Sequence, residues 1–369
     1  MDSRYLKKLL TGLGCLALIL GLGCNSNSHQ SEVVHPGGQV NALIGAGSTF
    51  IYPIMTRWIS NFQTSHQGVQ INYQSIGSGD GIQQLKKGLV DFGASDAALD
   101  DEQLKEMPPV IQIPESAGPV CITYNLPDLK SALKLSGATL VGIYMGTIKS
   151  WQDAAVKKDN PGVLLPNEPI IVAHRSDGSG TTNIFTTYLA KVSPEWQKKV
   201  GKGISVGWPV GLGGKGSEGV TGVVKQSGAI GYVELTYAKE NNLPVAQVRN
   251  QAGNWEDPSA AGTTASIEAF RDDLDKDPRL PIVDPPASAK DAYPICGLTY
   301  LLVPKDGQDS AKRSLLKNFI QYVITDGQEP AESLYYAKLP PTLADEDQKL
   351  LGEMQAKGQP VQTTTAALK

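Results

Sequence analysis

Apolar and polar positions along this chain fall into one order that repeats three times: a short apolar run, a loop of small and hydroxylated residues, then apolar residues at helical spacing. The first unit runs from Ala42-Leu43-Ile44 through Gly45-Ala46-Gly47-Ser48-Thr49 to a helix with Phe50, Ile54, Met55, Trp58, Ile59 and Phe62 on one face. Pro53 falls in the first turn of that helix, where a missing N–H costs nothing. The second passes from Val69–Tyr73 through Ile76-Gly77-Ser78-Gly79-Asp80-Gly81 to Ile82, Leu85 and Leu89. The third passes from Pro169–Ala173 through Arg175-Ser176-Asp177-Gly178-Ser179-Gly180-Thr181-Thr182 to Ile184, Phe185, Tyr188 and Leu189. Strands alternating with helices predict an α/β fold with ligands at the carboxyl ends of the strands.

Further apolar runs predict a buried strand over Leu89–Asp96, a strand over Gly118–Asn125, one over Gly228–Val233 and another over Tyr293–Val303. If the second and last of these are crossover strands, the middle of the chain is a domain inserted into the first. Asn250–Thr264 is polar and aperiodic and predicts a surface loop, whereas Leu315, Leu316, Phe319, Ile320 and Val323 predict a helix that returns to the first domain. The tail after Lys357 lacks apolar periodicity.

The first residues bear on compartment. Arg4, Lys7 and Lys8 precede the apolar run Leu16–Gly23, too short for a membrane-spanning helix and patterned as a secretory signal, so the chain is expected to be exported. Cys24 ends the run, and polar residues follow. Two outcomes fit: lipidation of Cys24 after cleavage, or plain cleavage and a freely soluble product. About 345 residues then remain, a length that suits two domains.

Formal charge is −4 for the 369 residues and becomes −6 once Asp2, Arg4, Lys7 and Lys8 are lost with the signal. A net-acidic chain without a basic cluster is a poor nucleic-acid ligand, and any bound anion must be held by local dipoles and placed cations. The four histidines are scattered and no metal-ligand spacing occurs, so neither metal nor cofactor is expected. Cys121 and Cys296 lie in apolar segments of an exported chain, where a disulfide or two buried thiols are both consistent.

The Arg175–Thr182 loop opens a helix, where free backbone N–H groups and the positive dipole end favour an anion, and Arg175 adds a planar fork of donors. Ser179, Thr181, Ser78 and Thr49 each sit where a plain helix cap would also sit; the functional reading rests on three such loops converging. Asp177 is either a surface partner of Arg175 or the clamp that orients it. Asp96 is either a loop-start residue or, at an oxyanion site, an acceptor that admits only a ligand with a proton to give, hence phosphate and not sulfate. Catalytic motifs are missing: Gly214-Lys215 is followed by Gly216 rather than a Walker hydroxyl, and no Gly-x-Ser-x-Gly elbow occurs.

Five ordered segments, Gly45–Phe50, Val90–Asp96, Arg175–Thr181, Trp208–Gly216 and Gly228–Glu234, resemble the phosphate-binding subunit of the bacterial phosphate-specific ABC transporter. The resemblance implies a two-domain periplasmic-binding-protein fold of type II with two crossover strands at the hinge and the ligand in the interdomain cleft. It implies no enzymatic activity, but capture of inorganic phosphate in the periplasm or at the cell surface, by a monomer anchored to a membrane through lipid on Cys24, and delivery to ABC permease subunits. A sensor or adhesin without transport, or a secreted phosphatase or esterase, are the alternatives. By motif, Thr49, the Phe50 N–H, Ser78, Asp96, Arg175, Ser179, the Gly180 N–H and Thr181 would hold the phosphate, with Asp177 behind Arg175. Asp80 and His174 depart from the family pattern. The expected organisation is a signal peptide at 1–23, a tether at 24–40, domain I at 41–120 plus 292–357, domain II at 121–291, and a flexible tail at 358–369.

Overall fold

The structure, a computed structural model, describes residues 41–361; the signal peptide, Cys24 and the tether lie outside them. Its main sheet has eight strands: β1 (Ala42–Gly47), β2 (Gln70–Ser75), β3 (Phe92–Ser95), β4 (Val110–Tyr124), β5 (Ile171–Arg175), β6 (Leu212–Gly214), β7 (Ala229–Glu234) and β8 (Cys296–Pro304). Their order across the sheet is β2-β1-β3-β8-β4-β7-β5-β6. The outer strands pair in parallel within each half, and the central β8 and β4 run antiparallel to their neighbours.

Strand β4 joins the halves. It pairs with β8 from Val110 to Pro119, then with β7 from Val120 to Tyr124. Two strands far apart in sequence thus carry the chain between two lobes, and the ends of the outer strands face one another across a cleft.

The three repeated units form as their patterns predict. Helix α1 (Tyr52–Ser65) follows β1, α2 (Ser78–Lys86) follows β2, and α3 (Gly180–Val192) follows β5. In α1, Ile54, Met55, Trp58 and Phe62 are buried while Ile59 is half-buried, and Phe62 meets Phe319 of α5 (Ser310–Ile324) edge-on at 5.3 Å. Burying a side chain such as Phe62 is worth about 2–3 kcal/mol, so this aromatic contact ties the C-terminal helix to the first lobe.

Four expectations need correction. The buried strand expected over Leu89–Asp96 begins only at Phe92, and Leu89, after the turn that ends α2, is 62% exposed. The strand expected from Gly118 extends back to Val110, past Pro114, which masks that part in a propensity reading. The segment expected as a surface loop contains the short strand Trp255–Glu256 and the helix Ala260–Ala269. That helix buries Gly262, Thr263, Ser266 and Ile267, and the two hydroxyls bond carbonyls of their own helix, so small polar residues replace the apolar stripe. Finally, the expected flexible tail is packed through Val361: Gln359–Pro360 pair with Gln355–Ala356, and the Val361 N–H donates to Met354 O. Residues 362–369 lie outside the described part.

Among the described residues no helix is long and apolar enough to cross a membrane.

Candidate functional site

The site forms where the loops after β1, β2, β3 and β5 meet across the cleft. A fifth loop joins them, because β6 leads through Lys215 into helix α4 (Gly216–Val224). This strand-loop-helix unit is hidden in sequence by its glycines.

From the first lobe come Ser48, Thr49, Ser78 and Asp96, all buried. The Ser48 hydroxyl donates to Asp96 Oδ1, and Ser78 Oγ accepts from the Asp96 N–H at 3.4 Å. Burial pushes the Asp96 carboxyl up to about 6, with the Ser48 hydrogen bond and the Arg175 charge holding it back. Asp96 therefore remains mostly ionised at neutral pH, an acceptor without a proton of its own.

From the second lobe comes Arg175, only 4% exposed. Its Nε and Nη2 donate to the two oxygens of Asp177 at 2.8 and 2.5 Å, and its Nη1 reaches across to Thr49 Oγ1 at 3.1 Å. Asp177 also accepts from the Gly216 N–H at 3.0 Å. Its burial would raise the carboxyl, but the Arg175 hydrogen bonds and charge outweigh that and hold it below its ordinary value. Of the two readings of Asp177, the structure shows the buried bidentate clamp.

The lobes touch through backbone. The Gly79 N–H donates to Gly178 O at 2.9 Å, and the Gly180 N–H donates to Ser78 Oγ at 3.2 Å. A side chain at 180 would begin 2.6 Å from both Cβ and Oδ2 of Asp96, so only glycine permits this approach. Thr181, the next residue, is 1% exposed and its hydroxyl has no hydrogen-bond partner among the described residues.

Helix capping explains one of the hydroxyls and not the others. Ser179 caps α3, its Oγ accepting from the Thr182 N–H at 3.1 Å. Ser78 is already the first helical residue and serves N–H groups from other loops, while Thr49 precedes the α1 cap and bonds Ser217 at 2.9 Å and Arg175. Phe50 lies at the entry to α1, its ring buried against Tyr336 and its carbonyl accepting the Tyr336 hydroxyl at 2.6 Å.

Three participants escape a motif reading. Ser48 lies in the first segment beside Thr49, and its hydroxyl donates to Asp96. Ser217 follows the fourth motif by one residue. The Tyr232 hydroxyl, in the fifth, accepts from the Arg175 N–H at 3.1 Å and bonds Thr182 Oγ1 at 2.7 Å. Of the departures from pattern, Asp80 is exposed, and His174 stacks on Trp208 with its Nδ1 3.0 Å from Arg175 O.

Cys121 and Cys296 do not pair. Both are buried free thiols, Cys121 against Val233 O and Cys296 against Thr263 Oγ1 and Tyr293 O. Burial pushes both thiols well above their ordinary value, which removes the thiolate needed for oxidation.

Two lobes bridged by long crossover strands, with buried hydroxyls, one clamped arginine and a helix N-terminus facing the cleft, define a substrate-binding protein of the periplasmic kind. Residues 32–327 match the PBP superfamily domain. A phosphate-binding protein PstS of Xylella fastidiosa is 43% identical over 303 residues, 82% of each chain. Another of Haemophilus influenzae is 40% identical over 309 residues, 83% of this chain and 91% of its own. A solved high-affinity periplasmic phosphate-binding protein (PfluDING), bound with phosphate, shares the fold with a TM-score of 0.67 at 22% identity, over 84% of this chain and 93% of its own. The chain belongs to the PBP superfamily and, within it, to the family of the PstS phosphate-binding proteins.

Proposed function

We propose that this chain captures inorganic phosphate outside the cytoplasm and delivers it to the permease of an ABC transporter. The observation that carries this reading is the placement of a buried, ionised Asp96 among donors. Arg175, the Gly180 N–H and the Thr181 hydroxyl supply positive ends to an oxyanion, while Asp96 offers only lone pairs. A ligand without a proton leaves that acceptor unpaired and repelled. Phosphate keeps at least one O–H at neutral pH and sulfate keeps none, so the site selects phosphate by the cost of a mismatched acceptor.

In this reading Thr49, the Phe50 N–H, Ser78, Arg175, Ser179, the Gly180 N–H and Thr181 hold the phosphate, Asp96 accepts its proton, and Asp177 orients Arg175. The domains divide as 41–120 plus 292–357 and 121–291, so that β4 and β8 are the hinge. Cys24 carries the lipid anchor of a monomer, which a Cys24→Ala variant released from the membrane fraction would support. Hydrolysis of an ester gains no support: Ser179 is engaged as a helix cap, and the ring of His174 is stacked on Trp208.

Calorimetry of the mature chain with phosphate and with sulfate tests the reading. Phosphate is expected to bind at micromolar concentration or below and sulfate at least 100-fold more weakly, as about 3 kcal/mol for an unpaired buried charged acceptor implies. Equal binding of both anions would overturn it.

A further inference from the structure

The loop between β1 and α1 is held at two carbonyls by two buried tyrosines. The Tyr73 hydroxyl of β2 donates to Ser48 O at 2.8 Å, and the Tyr336 hydroxyl donates to Phe50 O at 2.6 Å. Burial keeps both phenols neutral, so each remains a donor at any ordinary pH. The peptide that carries the Phe50 N–H lies between the two that are held. With its neighbours fixed on both sides, that planar group has little freedom to rotate. The Phe50 ring is fixed as well. It meets the Tyr336 ring edge-on at 5.9 Å, and a Cβ at Gly118 of β4 would fall 2.8 Å from Phe50 Cζ and 3.3 Å from Tyr336 Cδ1.

Tyr73 comes from the neighbouring strand, but Tyr336 comes from 286 residues beyond Phe50, and its segment is tied to both lobes. Ala337 pairs with Ala117 of the crossover strand β4, its N–H donating to Ala117 O at 2.8 Å, and Ser116 Oγ donates to Ala337 O at 3.2 Å. From the second lobe, just after β7, Thr236 Oγ1 donates to Leu334 O at 2.7 Å, and Lys239 Nζ lies 6.0 Å from the centre of the Tyr335 ring. Tyr335 adopts φ +64°, a left-handed conformation that a bulky residue rarely takes. Strain of that kind persists only where the surroundings over-determine it. Here it ends the turn Glu332–Leu334 and leaves Tyr335 at the surface and Tyr336 in the core.

We propose that Tyr336 is a positioning residue for the oxyanion site: it keeps the Phe50 N–H aimed at the ligand, and the segment Leu334–Ala337 makes that hold depend on the second lobe through Thr236. The consequence for binding rests on the phosphate reading above, in which the Phe50 N–H is a ligand donor. A donor that is already aimed need not be ordered when the ligand arrives, so more of its hydrogen bond appears as affinity. Without the Tyr336 hydroxyl the buried Phe50 carbonyl loses its partner, and the loop must be ordered at the moment of binding. Tyr336 acts through Phe50 and not on the ligand.

The test titrates the full chain, Tyr336→Phe, Thr236→Val and the double variant with inorganic phosphate by calorimetry. Tyr336→Phe keeps the ring and its packing and loses only the hydroxyl; it is expected to bind phosphate about tenfold more weakly, as re-ordering about one residue's backbone implies. Thr236→Val keeps the side-chain shape and is expected to weaken binding about threefold. Because both act through one segment, the double variant is expected to bind no more weakly than Tyr336→Phe alone. Losses that multiply, or an unchanged affinity in Tyr336→Phe, overturn the proposal. A measurement without ligand keeps it apart from the phosphate reading: in amide NMR spectra, Tyr336→Phe is expected to shift the Phe50 resonance and speed its hydrogen exchange while Gly180 stays as it was. An unmoved Phe50 amide, or exchange that speeds at Phe50 and Gly180 alike as a general loss of stability would cause, sinks the positioning role whatever the protein binds. If the unaltered protein binds no phosphate, the phosphate reading falls and the Phe50 amide alone decides.

Discussion

The two faces of the cleft are built from the same strand-loop-helix unit but carry opposite chemistry. The face after β5 and β6 presents donors: Arg175, the first N–H groups of α3, and Gly216 and Ser217 at the start of α4. The face after β1, β2 and β3 presents hydroxyls and one acceptor-only carboxylate, Asp96. Because Asp177 neutralises Arg175, the buried ionised side chains of the site sum to a negative charge before any ligand arrives. An anion can be held there only by short-range hydrogen bonds and dipoles in a desolvated cleft, not by net field. In the proposed reading, one face would make an oxyanion welcome and the other would decide which oxyanion.

The largest effect should come from breaking the donor face. Arg175→Ala removes the clamp and leaves Asp177 buried without its partner, so stability should fall by about 3–5 kcal/mol in denaturant titration. Phosphate affinity should fall by roughly 100-fold, following the loss of charge-assisted hydrogen bonds. Sulfate and phosphate should suffer alike. In the double variant Arg175→Ala/Asp177→Ala much of the stability should return and the affinity should not, which separates the clamp from the contact.

Next comes the acceptor face. Asp96→Asn replaces an obligate acceptor with a group that also donates, and sulfate should gain on the order of 10-fold or more relative to phosphate in competition calorimetry. Acid should do the same without mutation. Burial holds Asp96 at about 6, above its ordinary value, so its neutral form is populated as pH falls through about 6. The sign is therefore that sulfate rejection is complete near pH 7.5 and relaxes by pH 5. Unchanged selectivity over that range would show that Asp96 does not discriminate.

A smaller effect is expected at Ser217, which holds Thr49 in place at 2.9 Å from the opposite lobe. Ser217→Ala removes one neutral hydrogen bond, worth about 1 kcal/mol, so phosphate affinity should weaken about fivefold with selectivity untouched. The smallest effect concerns salt. A site without net positive charge, closed from water, should lose less than about threefold in affinity between 50 and 500 mM sodium chloride, whereas a surface cluster of lysines would lose far more. A steep salt dependence would break the comparison between the faces.

Much of this site is legible in the chain because each piece is local. A strand, a glycine- and serine-rich turn and an amphipathic helix occupy about twenty consecutive residues, and the helix start places its own N–H groups and hydroxyls. Thus the loops at 48–49, 78, 96 and 175–181 could be selected, and their motif resemblance names a ligand. The fifth loop at 215–217 is obscured because β6 is three residues long and glycine-rich, with no β-branched run to mark it. The helix at 260–269 was obscured for the opposite reason: its buried face is made of Gly, Thr and Ser, which periodicity counts as polar.

What the sequence determined by itself is therefore the α/β grammar, the loops at the strand ends and the kinds of group they carry, since these depend on neighbours a few residues apart. Which of two roles each group takes was decided by tertiary structure. Ser78 became a receptor of N–H groups from two other loops, Asp177 a buried clamp, and Cys121 and Cys296 separate thiols. Glu115 is the extreme case. Nothing in Pro114-Glu115-Ser116 marks an acid bound for the core; only a β-bulge in β4 and the register of β3, β8 and β4 bury it near Asp96. A carboxyl's protonation depends on what surrounds it in space, and that surrounding is assembled from strands more than 180 residues apart.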